Sequence, residues 1–240
     1  MAIDPTDKLI LALDGMAKDE AFCLIQKLPK LKWVKVGLEL FIREGPEVIF
    51  SLREMGFRVF LDLKFHDIPN TMAAACHQAA ESGAELITVH ACAGINALNQ
   101  ANNAASIAAS EAGLPSPTLL AVTVLTSWDS NSFANELVTN QPIHKRVELL
   151  ADLASKAGIG GCICSPLEVK QLRNLFSDSF ELVTPGIRPK GSSMGDQLRV
   201  MTPFEALNAG ASRIVLGRPI TESNDPISVF EGVCSELEKV

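Results

Sequence analysis

Short apolar runs rich in β-branched residues punctuate the chain at Leu9–Asp14, Trp33–Leu38, Arg58–Lys64, Leu86–His90, Thr118–Leu125, Gly161–Ser165, Glu181–Gly186 and Arg213–Gly217. Segments of helix length lie between them, among them Lys18–Leu28, Pro46–Met55, Thr71–Ser82, Ile143–Lys156 and Pro203–Asn208. Short strands alternating with helical stretches predict successive strand–helix–strand units and a parallel sheet. Gly56, Gly83, Gly158 and Gly210 each follow a helix and precede a strand, where a helix end calls for positive φ. Eight strands in regular alternation favour a closed (β/α)8 TIM barrel over an open doubly wound sheet. No repeat, low-complexity tract or linker divides the chain, so residues 1–240 are expected to form a single barrel domain. Ser127–Gln141 and Lys190–Asp196 read as loops, both following strands and therefore both on the face where barrel chemistry sits.

The third run breaks the apolar pattern. In Phe60-Leu-Asp-Leu-Lys-Phe-His-Asp-Ile-Pro-Asn-Thr71, strand alternation points Leu61, Leu63 and Phe65 one way and Phe60, Asp62 and Lys64 the other. One face can pack against helices. The other sets a carboxylate beside an ammonium, and buried charge is costly unless paired, which marks a site rather than a stabilising device. In a barrel, Asp14, Lys35, Asp62 and Lys64 converge at the mouth, with Asp67 just beyond. Any one of them alone reads as a helix cap or a snorkelling side chain. Together, on three successive strands, they read as a functional cluster.

A second cluster closes the barrel. Strand eight ends in Gly217-Arg218, where a glycine lets backbone N–H groups approach an anion and a guanidinium matches phosphate oxygens. The loops after strands seven and eight are the usual phosphate site of such barrels. The preceding loop, Thr184-Pro-Gly-Ile-Arg188 through Gln197, adds Arg188 and Gln197 as groups able to close over a ligand. His66 would point away from Lys64, and His90 reads equally as a packing residue.

Composition narrows the rest. A 47% apolar content fits a globular core, and a net charge of −7 without a basic run argues against a general nucleic-acid surface. The six cysteines sit mostly in apolar or helical stretches, as buried thiols of a reducing compartment do. Cys162-x-Cys164 has no second ligand pair at metal-binding spacing, so no metal is expected. No nucleophile elbow or dinucleotide fingerprint occurs, and no signal sequence or membrane-length run, which points to a cytoplasmic protein.

Asp62-Leu-Lys-Phe-His-Asp-Ile-Pro-Asn-Thr71 closely resembles the signature of the orotidine 5′-phosphate decarboxylase family. Leu11–Asp14, Val34–Glu39, Val122–Ser127, Pro185–Pro189, Gly195–Gln197 and Leu216–Ile220 follow in that family's order. The resemblance implies decarboxylation of orotidine 5′-monophosphate to UMP without metal or organic cofactor. It implies a homodimer with shared sites, in which Asp67, Ile68 and Thr71 reach the partner's site. By position, Asp14 and Lys35 would hold ribose hydroxyls, Asp62 would lie beside the substrate carboxylate and Lys64 would protonate C6. Asp67 would balance the lysines and hold a ribose hydroxyl across the interface. Thr126 or Ser127 would contact the pyrimidine, Gln197 would bridge base and phosphate, and Arg188, Arg218 and Gly217 would bind phosphate. Three rivals stay open: a Mg²⁺-dependent sugar-phosphate barrel enzyme, a Schiff-base aldolase using Lys64, and a non-catalytic phosphate-binding barrel.

Overall fold

The structure, a computed structural model, describes residues 5–189 and 200–239. Its strands are β1 (Leu9–Ala12), β2 (Trp33–Gly37), β3 (Arg58–Phe65), β4 (Leu86–His90), β5 (Thr118–Val122), β6 (Gly161–Ile163), β7 (Glu181–Thr184) and β8 (Arg213–Leu216). All neighbouring pairs are parallel and β8 closes on β1, giving the expected TIM barrel. Every strand starts where the apolar pattern starts. Six of them end earlier than the pattern, because the last apolar residues leave the ladder to build the mouth. Leu13 N still donates to Lys35 O at 3.1 Å and Thr123 N to Ile163 O at 3.4 Å, so these outgoing segments stay tethered.

The helices are α1 (Lys18–Gln26), α2 (Leu38–Glu44), α3 (Glu47–Glu54), α4 (Pro69–Glu81), α5 (Ile95–Glu111), α6 (Ser130–Glu136), α7 (Ile143–Lys156), α8 (Val169–Leu175), α9 (Pro203–Asn208), α10 (Arg218–Thr221) and α11 (Pro226–Leu237). The four helix-ending glycines take positive φ, from 76° at Gly158 to 109° at Gly210. α4 begins two residues before the pattern suggested, with Pro69 in its first turn, where a missing N–H is harmless. The Ser127–Gln141 segment is not wholly loop. Asp129 caps α6 by accepting from Asn131 N at 2.8 Å and Ser132 N at 3.0 Å. Buried Phe133 anchors the helix, edge-on to Trp128. A seven-residue polar helix with one buried anchor carries no apolar period to read.

Two apolar layers follow from strand alternation. Ile10, Ala12, Trp33, Phe60, Leu86, Leu120, Val183 and Val215 fill the barrel, while Leu9, Leu11, Val34, Val36 and Leu61 pack outward against helices. At the N-terminal end the guanidiniums of Arg58 and Arg213 both lie over the Trp33 ring, 4.0 Å and 4.6 Å from its centroid. Those arginines pair in turn with Glu85 at 2.6 Å and Glu181 at 2.8 Å. Buried Trp33 and these pairs close that end of the barrel, and the cavity opens at the other.

β3 departs from a regular strand where the charges sit. Against β4 it pairs Leu61 with Ile87 and next Phe65 with Val89, so four steps of β3 span two of β4. Lys64, inside this bulge, has φ of 52°, the left-handed region that residues with a Cβ avoid. Alternation survives, since Leu63 and Phe65 still pack on the outer layer.

Candidate active site

A cavity of about 440 Å³ opens at the C-terminal end of the strands. Its floor is apolar, made by Ala12, Phe60, Val122, Ile163 and Val215, and its walls carry Asp14, Lys35, Asp62, Lys64, Thr126, Arg188, Gly217 and Arg218. Eight of the residues singled out by sequence are thus brought to one pocket.

The charges form a chain. Lys35 Nζ lies 2.7 Å from Asp14 Oδ2 and 3.3 Å from Asp62 Oδ2, and Lys64 Nζ lies 2.9 Å from Asp62 Oδ1. The Lys35 and Asp62 side chains are only 9% and 12% exposed. Burial pushes the Lys35 ammonium down, but Asp62 and then Asp14 outweigh it, and its pKa is raised. Burial pushes Asp62 up, yet Lys35, then Lys64, and hydrogen bonds from Lys64 and Thr88 pull it below the ordinary carboxylate value. Both groups are held in their charged forms at neutral pH. A fixed array of charges, already desolvated, can act on charge that develops in a ligand without first reorganising water.

Two residues that the sequence reading passed over hold this array. Gly37 pairs in register with Asp62, and a Cβ there would overlap Asp14 Oδ1 and press on Lys35 Nζ, so only glycine leaves room for that pair. Thr88, fully buried on β4, donates to Asp62 Oδ1 at 3.0 Å and accepts from Lys64 N at 2.9 Å. Its sequence signal is weak: a hydroxyl inside the apolar run Leu86–His90, where threonine is an ordinary strand residue.

Arg188 and Arg218, which follow β7 and β8, line the same cavity. Burial, then the neighbouring Arg218, lowers the Arg188 pKa. Two cations that disfavour each other suit an anion carrying more than one charge. Gly217 faces Ala12, with an added Cβ 3.4 Å from the Ala12 Cβ.

Other expected residues lie elsewhere. Asp67, Ile68 and Thr71 are exposed beyond the end of β3 and do not line the cavity, and the Asp67 carboxylate accepts from Ile68 N at 2.7 Å. Thr126 lines the cavity whereas Ser127 is exposed outside it. Gln197, with Gly195 and Asp196, lies outside the described residues. β3 ends before His66, whose ring stands 5.2 Å from that of His90, so both histidines are packing neighbours rather than cavity walls. Cys162 and Cys164 are buried free thiols. Among the described residues no helix is long and apolar enough to cross a membrane, and no group of three or more His, Cys, Asp or Glu is arranged to hold a metal ion.

A protein from Prochlorococcus marinus named orotidine 5′-phosphate decarboxylase is 59% identical over 237 residues, covering 99% of each chain. One of that name from Parasynechococcus marenigrum is also 59% identical, over 99% of this chain and 96% of its own. The crystal structure of orotidine 5′-phosphate decarboxylase from Lactobacillus acidophilus superposes with a TM-score of 0.84 at 40% identity, covering 95% of this chain and 98% of that one. The profile of the orotidine 5′-phosphate decarboxylase / HUMPS family matches residues 7–233, and the chain belongs to that family.

Proposed function

We propose that this protein decarboxylates orotidine 5′-monophosphate to UMP in pyrimidine synthesis, as a cytoplasmic, single-domain enzyme that uses neither metal nor organic cofactor. The observation that carries the reading is the Asp14–Lys35–Asp62–Lys64 chain lining a cavity that is also lined by Arg188 and Arg218. Phosphate binds the two arginines and the backbone at Gly217. The ribose hydroxyls meet Asp14 and Lys35, the pyrimidine meets Thr126, and Gln197 bridges base and phosphate. The substrate carboxylate lies beside Asp62, and C6 faces Lys64 Nζ. When the bond from C6 to the carboxylate breaks, its electron pair stays on C6 and carbon dioxide leaves. Lys64 then gives its proton to C6, forming UMP, and regains one from water. No ring position delocalises the pair on C6 well, so stabilisation comes from fixed charge and a proton donor already in place.

The geometry weighs against the rivals. Asp62 already accepts from Lys35, Lys64 and Thr88, so a divalent cation on it would have to displace ammonium groups. Lys64 Nζ is engaged by Asp62 Oδ1 at 2.9 Å rather than free to approach a carbonyl carbon, which disfavours Schiff-base chemistry. Metal-stripped protein in EDTA is expected to deplete the orotidine 5′-monophosphate absorbance. Depletion that begins only when Mg²⁺ is added would move the assignment to the sugar-phosphate type of enzyme.

The reading includes a homodimer with shared sites, in which Asp67, Ile68 and Thr71 of each subunit complete the partner's cavity. Their exposure outside their own cavity supports it. Lys64→Ala and Asp67→Ala damage different halves of such a site. Co-expressed, the two variants are expected to regain activity, because a mixed dimer has one intact site, or about a quarter of all sites after random pairing. A mixture no more active than its parts would return Asp67 to its own subunit.

A further inference from the structure

We infer that Thr88 is a positioning residue: its hydroxyl holds the β3 bulge in the one conformation that aims Lys64 Nζ at C6. The inference rests on the proposed role of Lys64 as proton donor and goes beyond it, because it concerns what places that donor.

Lys64 is strained. Its φ of 52° lies where a side chain crowds the backbone, a state that persists only when its surroundings enforce it. The ladder does not, since β3 skips from Leu61 to Phe65 in its pairing with β4. The Lys64 N–H goes instead to Thr88 Oγ1 at 2.9 Å, and Thr88 Oγ1 donates to Asp62 Oδ1 at 3.0 Å. Donor and acceptor roles are fixed by chemistry. A backbone N–H only donates and an ionised carboxylate only accepts, so the hydroxyl proton must point at Asp62. Asp62 Oδ1 also accepts from Lys64 Nζ at 2.9 Å. The result is a closed ring from the Lys64 backbone through Thr88 and Asp62 to the Lys64 ammonium. One buried hydroxyl, 0% exposed, sets the backbone of the lysine and the orientation of its counter-ion together.

Valine has nearly the shape of threonine but can neither accept from Lys64 N nor donate to Asp62. Thr88→Val is therefore expected to lower kcat by about 10- to 100-fold, the range for sub-ångström to ångström misplacement of a reacting group. The KM and the affinity for UMP should change by less than about threefold, since the proposed phosphate grip comes from the ends of β7 and β8 and Thr88 does not line the cavity. Thr88→Ser keeps the hydroxyl and should recover most of the lost kcat. Amide hydrogen exchange at Lys64, read without substrate, should speed up in the valine variant and return to the wild-type rate in the serine variant. A folded Thr88→Val protein with wild-type kcat and unchanged exchange at Lys64 would overturn the inference. So would a serine variant as slow as the valine one, since the hydroxyl would not be what matters. Wild-type protein without any turnover, but with the expected exchange pattern, would instead sink the decarboxylase reading and leave Thr88 as the tie that aims Lys64.

Discussion

Lys64→Ala is expected to bind UMP within about tenfold of wild type while turnover falls by about 10⁴-fold or more, because general acid catalysis and fixed-charge stabilisation are lost together. The two effects sit on one atom. Nζ is the proposed source of the proton for C6 and the nearest positive charge to the electron pair left there. Removing it does not empty the site of positive charge, since Lys35 stays 3.3 Å from Asp62. Thr88 also keeps donating to Asp62. The carboxylate thus remains paired, and the residues proposed to grip ribose and phosphate are untouched. Binding and chemistry should separate cleanly. Calorimetric titration with UMP beside single-turnover kinetics checks both halves, and near-wild-type turnover would remove Lys64 from the proton-donor role.

The readability of this site in the sequence has a physical basis. Strand starts were legible because a barrel buries both faces of each strand, so apolar runs begin sharply after a turn, as at Trp33 and Leu86. Strand ends were not, because the residues that leave the ladder at the mouth are as apolar as those within it. The charged residues stood out because an aspartate and a lysine at inward positions of a buried strand have no ordinary explanation. Gly37 and Thr88 did not stand out. Each acts by geometry, one by leaving space and the other by filling a gap in the ladder, and neither a glycine nor a threonine is rare in a strand that ends at a turn. The bulge at Lys64 was illegible for a related reason. Its inward–outward alternation is preserved, so pattern alone gives no sign that the backbone has turned left-handed.

The Arg188→Ala, Arg218→Ala double variant is expected to lose about 10²- to 10⁴-fold in kcat/KM for orotidine 5′-monophosphate. Charged hydrogen bonds contribute about 1.5–3 kcal/mol each, and each 1.4 kcal/mol is tenfold. The loss should depend on the phosphate. Both guanidiniums line the cavity, and burial, then Arg218, lowers the Arg188 pKa, so the two cations disfavour each other. A phosphate relieves both costs at once, so the pair should prefer it to any neutral group. The corresponding nucleoside, which lacks phosphate, should be turned over slowly by wild type and no more slowly by the double variant. Measuring both proteins against both substrates closes a cycle whose coupling term isolates the contact. Because phosphate is remote from C6, part of that coupling should appear in kcat, as binding energy used to order the site around the reacting carbon. Inorganic phosphate should raise the melting temperature of wild type and leave that of the double variant unmoved. An equal loss on nucleotide and nucleoside would mean that the arginines shape the barrel mouth rather than bind the anion, and the phosphate end of the site would have to be sought elsewhere.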